Sequence, residues 1–237
     1  MIKYKQVADK IRQQILNEEF DSNSALPIER ELCETYNVSK DTMKKALSIL
    51  VNEGLIYRQS GKGTFIHENI KNNQQQFLDN SLAGYSAQRQ HDDNTVSTTV
   101  TYLEVIKAPQ DAIKYLRITA DSFVFHYERI RNLNDKNEII EETYVPIELM
   151  PNLTETILQG SMFQYIEDDL DLKIKSAHKS IHVTKANDYE ATILNINPGD
   201  PLPVTTDIIY LSTGTPIIYS LVKYNYERFN FVTMINK

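Results

Sequence analysis

The 237-residue chain has a single cysteine, Cys33, so no disulfide framework can form within it. No stretch approaches the roughly 18 consecutive apolar residues that a membrane-spanning helix requires. The opening MIKYKQVADKIRQQIL is charged throughout and lacks an uninterrupted apolar run, so it does not read as a secretory signal. Together these absences point to the cytoplasm. There is no GxSxG spacing to mark a nucleophile elbow. Glu167-Asp168-Asp169 with Asp171 lacks the alternating ligands and glycine of a calcium loop and reads as a solvated helix end. His178 and His182 have a metal-like spacing only if they share a helix, and their segment reads as a strand with no third ligand in view. No metal and no cofactor is expected. Internal repeats are also missing.

Positive charge is scarce overall, with a formal net charge of −7, which at first argues against a nucleic-acid partner. Its distribution changes that reading. Residues 1–69 hold ten basic and ten acidic side chains, and residues 70–237 hold fifteen and twenty-two. Within Ser39–Phe65, Lys40, Lys44, Lys45, Arg58 and Lys62 face only Asp41 and Glu53, a local net of +3. A basic stripe on an acidic protein is still an electrostatic footprint for DNA.

With 41% hydrophobic residues the chain can bury a real core, and its length suits one or two domains. Tyr4 to about Glu19 reads as a helix with Val7, Ile11, Ile15 and Leu16 as its apolar seam. Asp21–Pro27 breaks it. Ile28–Tyr36 is a second helix, started by Pro27, with Leu32, Cys33 and Tyr36 inward. After the turn at Asn37-Val38, Ser39 suits an N-cap. Met43, Ala46, Leu47 and Leu50 repeat at i, i+3, i+4, i+7, and Gly54 suits the C-cap. Leu55–Arg58 and Thr64–His67 flank the tight turn QSGKG. Glu68–Asn80 is polar, rich in Asn and Gln, and reads as a linker.

Beyond it the pattern turns to strands: Val96–Lys107, Ser122–Leu133, Glu138–Val145, Ile174–Lys185, Pro203–Leu211, Thr215–Tyr226 and Phe229–Ile235. Asn134–Asn137 and Ser212–Gly214 are hairpin signals. Helices are expected at Pro109–Leu116, Ser161–Leu170 and Asp188–Asn195. Antiparallel strands with short helices between them make an α+β domain.

Two helices at a tight turn, the second with a basic start, form a helix-turn-helix. The second helix would enter the major groove by its N-terminal residues. There Lys40 can donate to guanine, Lys44 can reach a phosphate or a base, and the amides behind Ser39 favour a phosphate. Asp41 suits an i, i+4 pair with Lys45 more than a base contact. The hairpin then serves as a wing, with Lys62 at its tip between Gly61 and Gly63, free to approach a minor groove. On the helix alone, solvated lysines of an ordinary amphipathic helix would look the same; the adjoining wing favours DNA.

LPIERELCETYNVSKDTMKKALSILVNEGLIYRQSGKGTFI, Leu26 to Ile66, resembles the winged helix-turn-helix of GntR-type bacterial regulators. The family pattern is Leu-Pro-Ser-Glu-Arg-Glu-Leu, then Val-Ser-Arg-x-Thr-Val-Arg, then Glu-Gly-Leu-Ile and Gly-x-Gly-Thr-Phe-Val. The resemblance implies that Arg30 contacts DNA, with Ser39, Lys40, Thr42 and Lys44 on the recognition helix and Gly61, Lys62 and Gly63 in the wing. Otherwise Arg30 would be read as a surface partner of a glutamate. Ile28 stands where serine is usual, which removes one phosphate contact. Lys40 and Lys44 stand where arginines are usual, and lysine loses the fork that reads guanine bidentately.

From about Leu82 to Phe231 the chain resembles the UTRA effector domain of the HutC branch. The carriers, in order, are GYSAQRQ, FHYERIRNL, IIEETYVP, GSMFQYIE, NPGDPL and PIIYSLVKYNYERFNF. The resemblance implies a chorismate lyase-like fold that binds small metabolites, often sugar phosphates or other anions. It matches Ser86 and Tyr224 to ligand-facing positions. The residues support an anion pocket on their own account: Phe125, Tyr127, Arg129 and Arg131 alternate onto one strand face, and two guanidiniums can hold a phosphate or carboxylate. Glu141 or Glu142 would accept hydroxyls, and Ser161 heads a helix. Alternatively Arg129 and Arg131 simply pair with Glu141 and Glu142 across the ladder.

The expectation is therefore three segments: a winged head at 1–68, a linker at 69–80 and an effector domain at 81–237. The whole would be a homodimeric, ligand-responsive repressor on a pseudo-palindromic double-stranded operator, released by a small anionic metabolite. Two other readings stay open: a chorismate lyase-like enzyme fused to a DNA-binding head, and a head that serves protein contact.

Overall fold

A computed structural model describes residues 3–17, 19–20, 25–52, 54–66 and 95–231. The expected linker Glu68–Asn80 and the segment GYSAQRQ with Ser86 lie outside these residues. The chain divides into two compact units, Met1–Ser81 with Asn230–Lys237, and Leu82–Phe229.

The first unit begins with α1 (Lys3–Leu16), α2 (Glu29–Tyr36) and α3 (Lys40–Asn52). Their seams meet in one core: Val7, Ala8, Ile11 and Ile15 from α1, Leu32 from α2, and Met43, Ala46, Leu47 and Leu50 from α3. Each valine, isoleucine, leucine or methionine among them gains about 1.5–3 kcal/mol on full burial. Cys33 packs against the edge of this core, the place its helix phase predicts. Asn37 ends α2 in the left-handed region, φ 49°, with its N–H returning to the Cys33 and Glu34 carbonyls. That cap makes the turn between α2 and α3 tight. Strands β1 (Ile56–Gln59) and β2 (Gly63–Ile66) pair antiparallel in the expected hairpin. One feature was not foreseen: Ala25 bridges to Phe65, and the Leu26 N–H donates to the Thr64 carbonyl at 2.7 Å. The segment before α2 thus ties down the wing.

The second unit is a six-stranded antiparallel sheet in the order β3-β4-β5-β8-β7-β6. Its strands are β3 (Val96–Lys107), β4 (Phe123–Leu133), β5 (Lys136–Pro146), β6 (Ile174–Lys185), β7 (Pro201–Leu211) and β8 (Pro216–Tyr224). One face carries α4 (Gln110–Leu116) and α7 (Asp188–Leu194) over Val124, Ile208, Tyr219, Ile140, Leu202 and Val204. The opposite face carries α5 (Glu155–Gln159) and α6 (Met162–Gln164) over Tyr127, Val145, Ile209 and Ile218.

Several expectations are corrected. The helix read at Ser161–Leu170 is one turn, α6, that widens into a π turn at Tyr165–Asp169. Helix α5 was missed, although Thr154 caps it by accepting from the Ile157 N–H; the short TETILQG run carries too few apolar positions to show a period. Phe229–Phe231 is not a strand, and the rest of the strand expected there lies outside the described residues. The hairpin turn is shorter than Asn134–Asn137. Asn134 and Asp135 form it alone, both left-handed at φ 50° and 61°, as a two-residue turn matching strand twist requires. That turn sets the register of β4 on β5. Replacing Asp135 with glycine, which adopts this φ freely, should stabilise the protein by ~0.5–1 kcal/mol after its own entropy loss. A rise in the urea midpoint at constant slope would show it.

Candidate nucleic-acid interface and effector pocket

Helix α3 starts on Ser39, whose Oγ accepts from the Thr42 N–H at 3.3 Å and lies 2.9 Å from the Thr42 hydroxyl. The cap buries Met43 and leaves Ser39, Lys40, Asp41 and Lys44 exposed on one end of the helix. Lys45 does not turn to that end. Its ammonium lies 5.9 Å from the ring centroid of Tyr4, which answers the expected pairing with Asp41. Arg30 is 79% exposed and approaches Glu34 at 3.9 Å, a surface pair of little energy that a phosphate can displace.

Ile28 occupies the N-cap of α2, 57% exposed. The Glu31 carboxylate accepts its N–H at 3.2 Å, but an isoleucine side chain cannot accept from the helix amides as serine would. In the wing, Gly61 and Gly63 hold φ of 73° and 126°, and Lys62 stands exposed between them. A side chain at Gly63 would also meet Ala25 at 3.5 Å. Arg58 reaches back to Glu29 at 3.6 Å. Recognition-helix start, wing tip and Arg30 are therefore exposed cationic or small residues on one small unit.

In the second unit the register assigns faces. Arg129 pairs with Glu141 and Tyr127 with Thr143, so Tyr127, Arg129, Arg131 and Glu141 share one face. Arg129 is 2% exposed. It donates to Glu141 Oε2 at 2.7 Å and to the Leu158 carbonyl at 3.0 Å, which joins the sheet to α5. Arg131 lies 3.5 Å from the same oxygen and donates to the Thr98 hydroxyl at 2.8 Å. Burial pushes the Glu141 carboxyl up, but the two guanidiniums outweigh it and hold it below the usual range. Tyr224 joins this face beside Ile139. Ser161 caps α6 by accepting from the Gln164 N–H at 3.3 Å. Its helix is a single turn, so the dipole that was to favour an anion there is small.

Glu142 is corrected. It lies on the opposite face, where Tyr144 donates to it at 2.7 Å, and His126 and Lys223 approach at 3.2 and 3.5 Å. His126 also meets Glu104 at 3.0 Å and stacks on Tyr144, so that cluster is internally satisfied. The ladder pairing thus holds for Glu141 and both arginines, and fails for Glu142. Sequence reading missed Thr98, Thr143, Ser220, Thr205 and Asp207 on the arginine face. The available signal was polar residues within strands otherwise built largely from Ile, Val and Leu, though not which face they take. The edge strand β6 puts His178 and His182 about 13 Å apart by strand rise, beyond sharing one ion.

Residues 3–66 match the family described as "Bacterial regulatory proteins, gntR family", and residues 92–230 match the UTRA domain. The chain belongs to the GntR family of bacterial regulators with a UTRA domain, and is a DNA-binding transcriptional regulator. It is 30% identical to the HTH-type transcriptional regulator YydK of Bacillus subtilis, across 100% of this chain and 98% of that one. The YydK crystal structure superposes with a TM-score of 0.81, covering 100% of both chains. The HTH-type transcriptional repressor NagR of B. subtilis is 30% identical over 99% and 95%. MngR, the mannosyl-D-glycerate transport/metabolism system repressor of Escherichia coli, is 29% identical over 99% and 96%.

The lowered Glu141 carboxyl makes stability depend on pH. Its stabilisation is complete above the unfolded value of about 4.3 and is lost as pH falls through the lower folded value. Urea midpoints measured from pH 7 to pH 3 should fall in acid. Glu141→Gln should flatten that acid limb while lowering stability at pH 7, because two buried guanidiniums lose their counter-charge. Arg129→Ala should cost roughly 3–5 kcal/mol by the same reasoning, so it removes more than a ligand contact.

Proposed function

We propose that the protein is a repressor that binds a pseudo-palindromic operator as a homodimer and leaves it when a small anionic metabolite, such as a sugar phosphate, is bound. Its parts are a head at residues 1–68, a linker at 69–80 and an effector domain at 81–237, working in the cytoplasm without enzymatic turnover. In the head, Arg30, Ser39, Lys40, Thr42 and Lys44 meet one half-site, and Gly61, Lys62 and Gly63 meet the adjoining groove. In the effector domain, Arg129, Arg131, Glu141, Ser161 and Tyr224, with Ser86, receive the effector.

The observation that supports the reading is the pair of buried guanidiniums, Arg129 and Arg131, gathered on one sheet face around the Glu141 carboxylate. Two guanidiniums side by side are donors suited to a phosphate or a carboxylate. NagR and MngR are both repressors by name, and the second is named for a mannosyl-glycerate system, which supports an acidic sugar derivative as the type of effector.

Release needs a ligand that prefers one arrangement of the chain. Moving it from 1:99 to 99:1 takes about 5.5 kcal/mol of differential affinity. Fluorescence anisotropy on bacterial promoter fragments at low ionic strength should show binding that sugar phosphates reverse. Binding to no fragment, with or without metabolites, would remove the repressor reading. Lys44→Ala should weaken binding to all sequences alike and reduce the slope of log K against log salt by about 1. An unchanged slope takes Lys44 off the list of phosphate contacts.

A further inference from the structure

The six-stranded sheet ends on two edge strands that differ in kind. β3 carries a bulge between Val100 and Tyr102, and half of its side chains are half-buried. β6 pairs with β7 from Ser176 to Lys185 with no break in register, no proline and no glycine. Every side chain from Lys175 to Lys185 is exposed, on both faces of the strand, Ile181 at 37% and Val183 at 63%. Among the described residues, no apolar side chain of β6 beyond Ile174 joins a core. Such a strand offers a row of unpaired backbone groups to a further strand. Lysine commonly blunts an edge of this kind. Here Asp207 holds Lys179 at 2.5 Å, and the remaining lysines, Lys175 and Lys185, stand at the two ends.

The residues of β6 say which further strand fits. On the face of α4 and α7 they run Ser176, His178, Ser180, His182, Thr184. Hydroxyl and imidazole alternate there, and the order is the same in both directions about Ser180. Side chains opposite each other in an antiparallel pair share a face. A second β6 centred on Ser180 therefore sets hydroxyl against hydroxyl and His178 against His182. On the other face Ala177 meets Val183, and the Lys179 stem meets Ile181. Ser–Thr and apolar pairs of this kind stabilise a ladder. A centre at Lys179 would set that lysine against itself, and a centre at Ile181 shortens the ladder. The chosen register has one cost, Lys175 facing Lys185 at each end.

We propose that the sheet continues into a second copy of this chain across a two-fold axis at Ser180, β6 pairing antiparallel with β6 and His178 of each copy meeting His182 of the other. This rests on the homodimer reading above and gives that dimer its interface. The contact is isologous, so each substitution acts twice.

Sedimentation equilibrium of the intact protein tests the register through its one cost. Lys175→Glu turns both end pairs from repulsive to attractive and should lower the dimer dissociation constant by about tenfold. Lys185→Glu should do the same. The double variant sets glutamate against glutamate and should return to the parent's value. In a Cys33→Ser background, Ser180→Cys should cross-link two copies on oxidation, and Thr99→Cys on β3 should not. A double variant that dimerises more tightly than either single one would overturn the Ser180 register. A dimer whose constant no variant moves, and which Ser180→Cys fails to cross-link, would overturn the β6 interface while the homodimer stands. A parent chain that stays monomeric at every concentration would remove the homodimer and this interface together.

Discussion

One carboxylate, Glu141, holds the effector unit to its register. It is the shared counter-charge of Arg129 and Arg131, and Arg129 in turn grips the Leu158 carbonyl on α5. A buried guanidinium without a counter-charge is severely unfavourable. A strand slip of one residue would carry Glu141 to the other face and bring Glu142 in its place. It would also break the cluster in which Glu142 serves Tyr144, His126 and Lys223. Two adjacent glutamates thus anchor two polar clusters on opposite faces of one strand, and only one register satisfies both. The two-residue turn at Asn134-Asp135 enforces the same register from the end of the hairpin.

That double anchoring divides labour between the faces. On the side of α4 and α7, charged atoms find partners within the protein, and aromatic rings stack from His126 to Tyr144 to Tyr219. On the side of α5 and α6, two arginines gather on one carboxylate, beside buried Thr143, Thr205, Asp207 and Ser220. Buried polar groups set into an apolar sheet face are where a functional face is expected.

Much of this was legible in the residues. The bounds of Val96–Lys107 and Ile174–Lys185 coincide with the strands observed, because both are long runs uninterrupted by glycine or proline. The helix from Lys40 to Asn52 announced itself by a serine cap, an i, i+3, i+4, i+7 seam and a following glycine. The alternation of Arg129 and Arg131 put both on one face correctly. What escaped was information that lies between strands. Nothing local distinguishes Glu141 from Glu142, since the face of each is decided by pairing with β4 and β8. Likewise the inward positions of Thr205 and Asp207 follow only from the register of β7. The π turn after α6 was invisible because widening a helix by one residue shifts the apolar phase without interrupting it.

The lysines of the head bear on how release can work. A lysine supplies a phosphate or guanine contact as a point charge and lacks the paired donors of arginine. If Lys40 and Lys44 meet the groove as proposed, with isoleucine at position 28 in place of a hydroxyl, the head would draw more of its affinity from counterion release than from base discrimination. An effector can shift an equilibrium only by its differential affinity for two states. A looser grip on DNA lowers the amount that must be supplied. At the effector unit, the proposed anion site is where that differential affinity would be generated, since an anion there adds charge-assisted bonds to two buried guanidiniums. On that proposal, modest contacts at the head and strong ones at the arginine pair are matched requirements of one releasable complex.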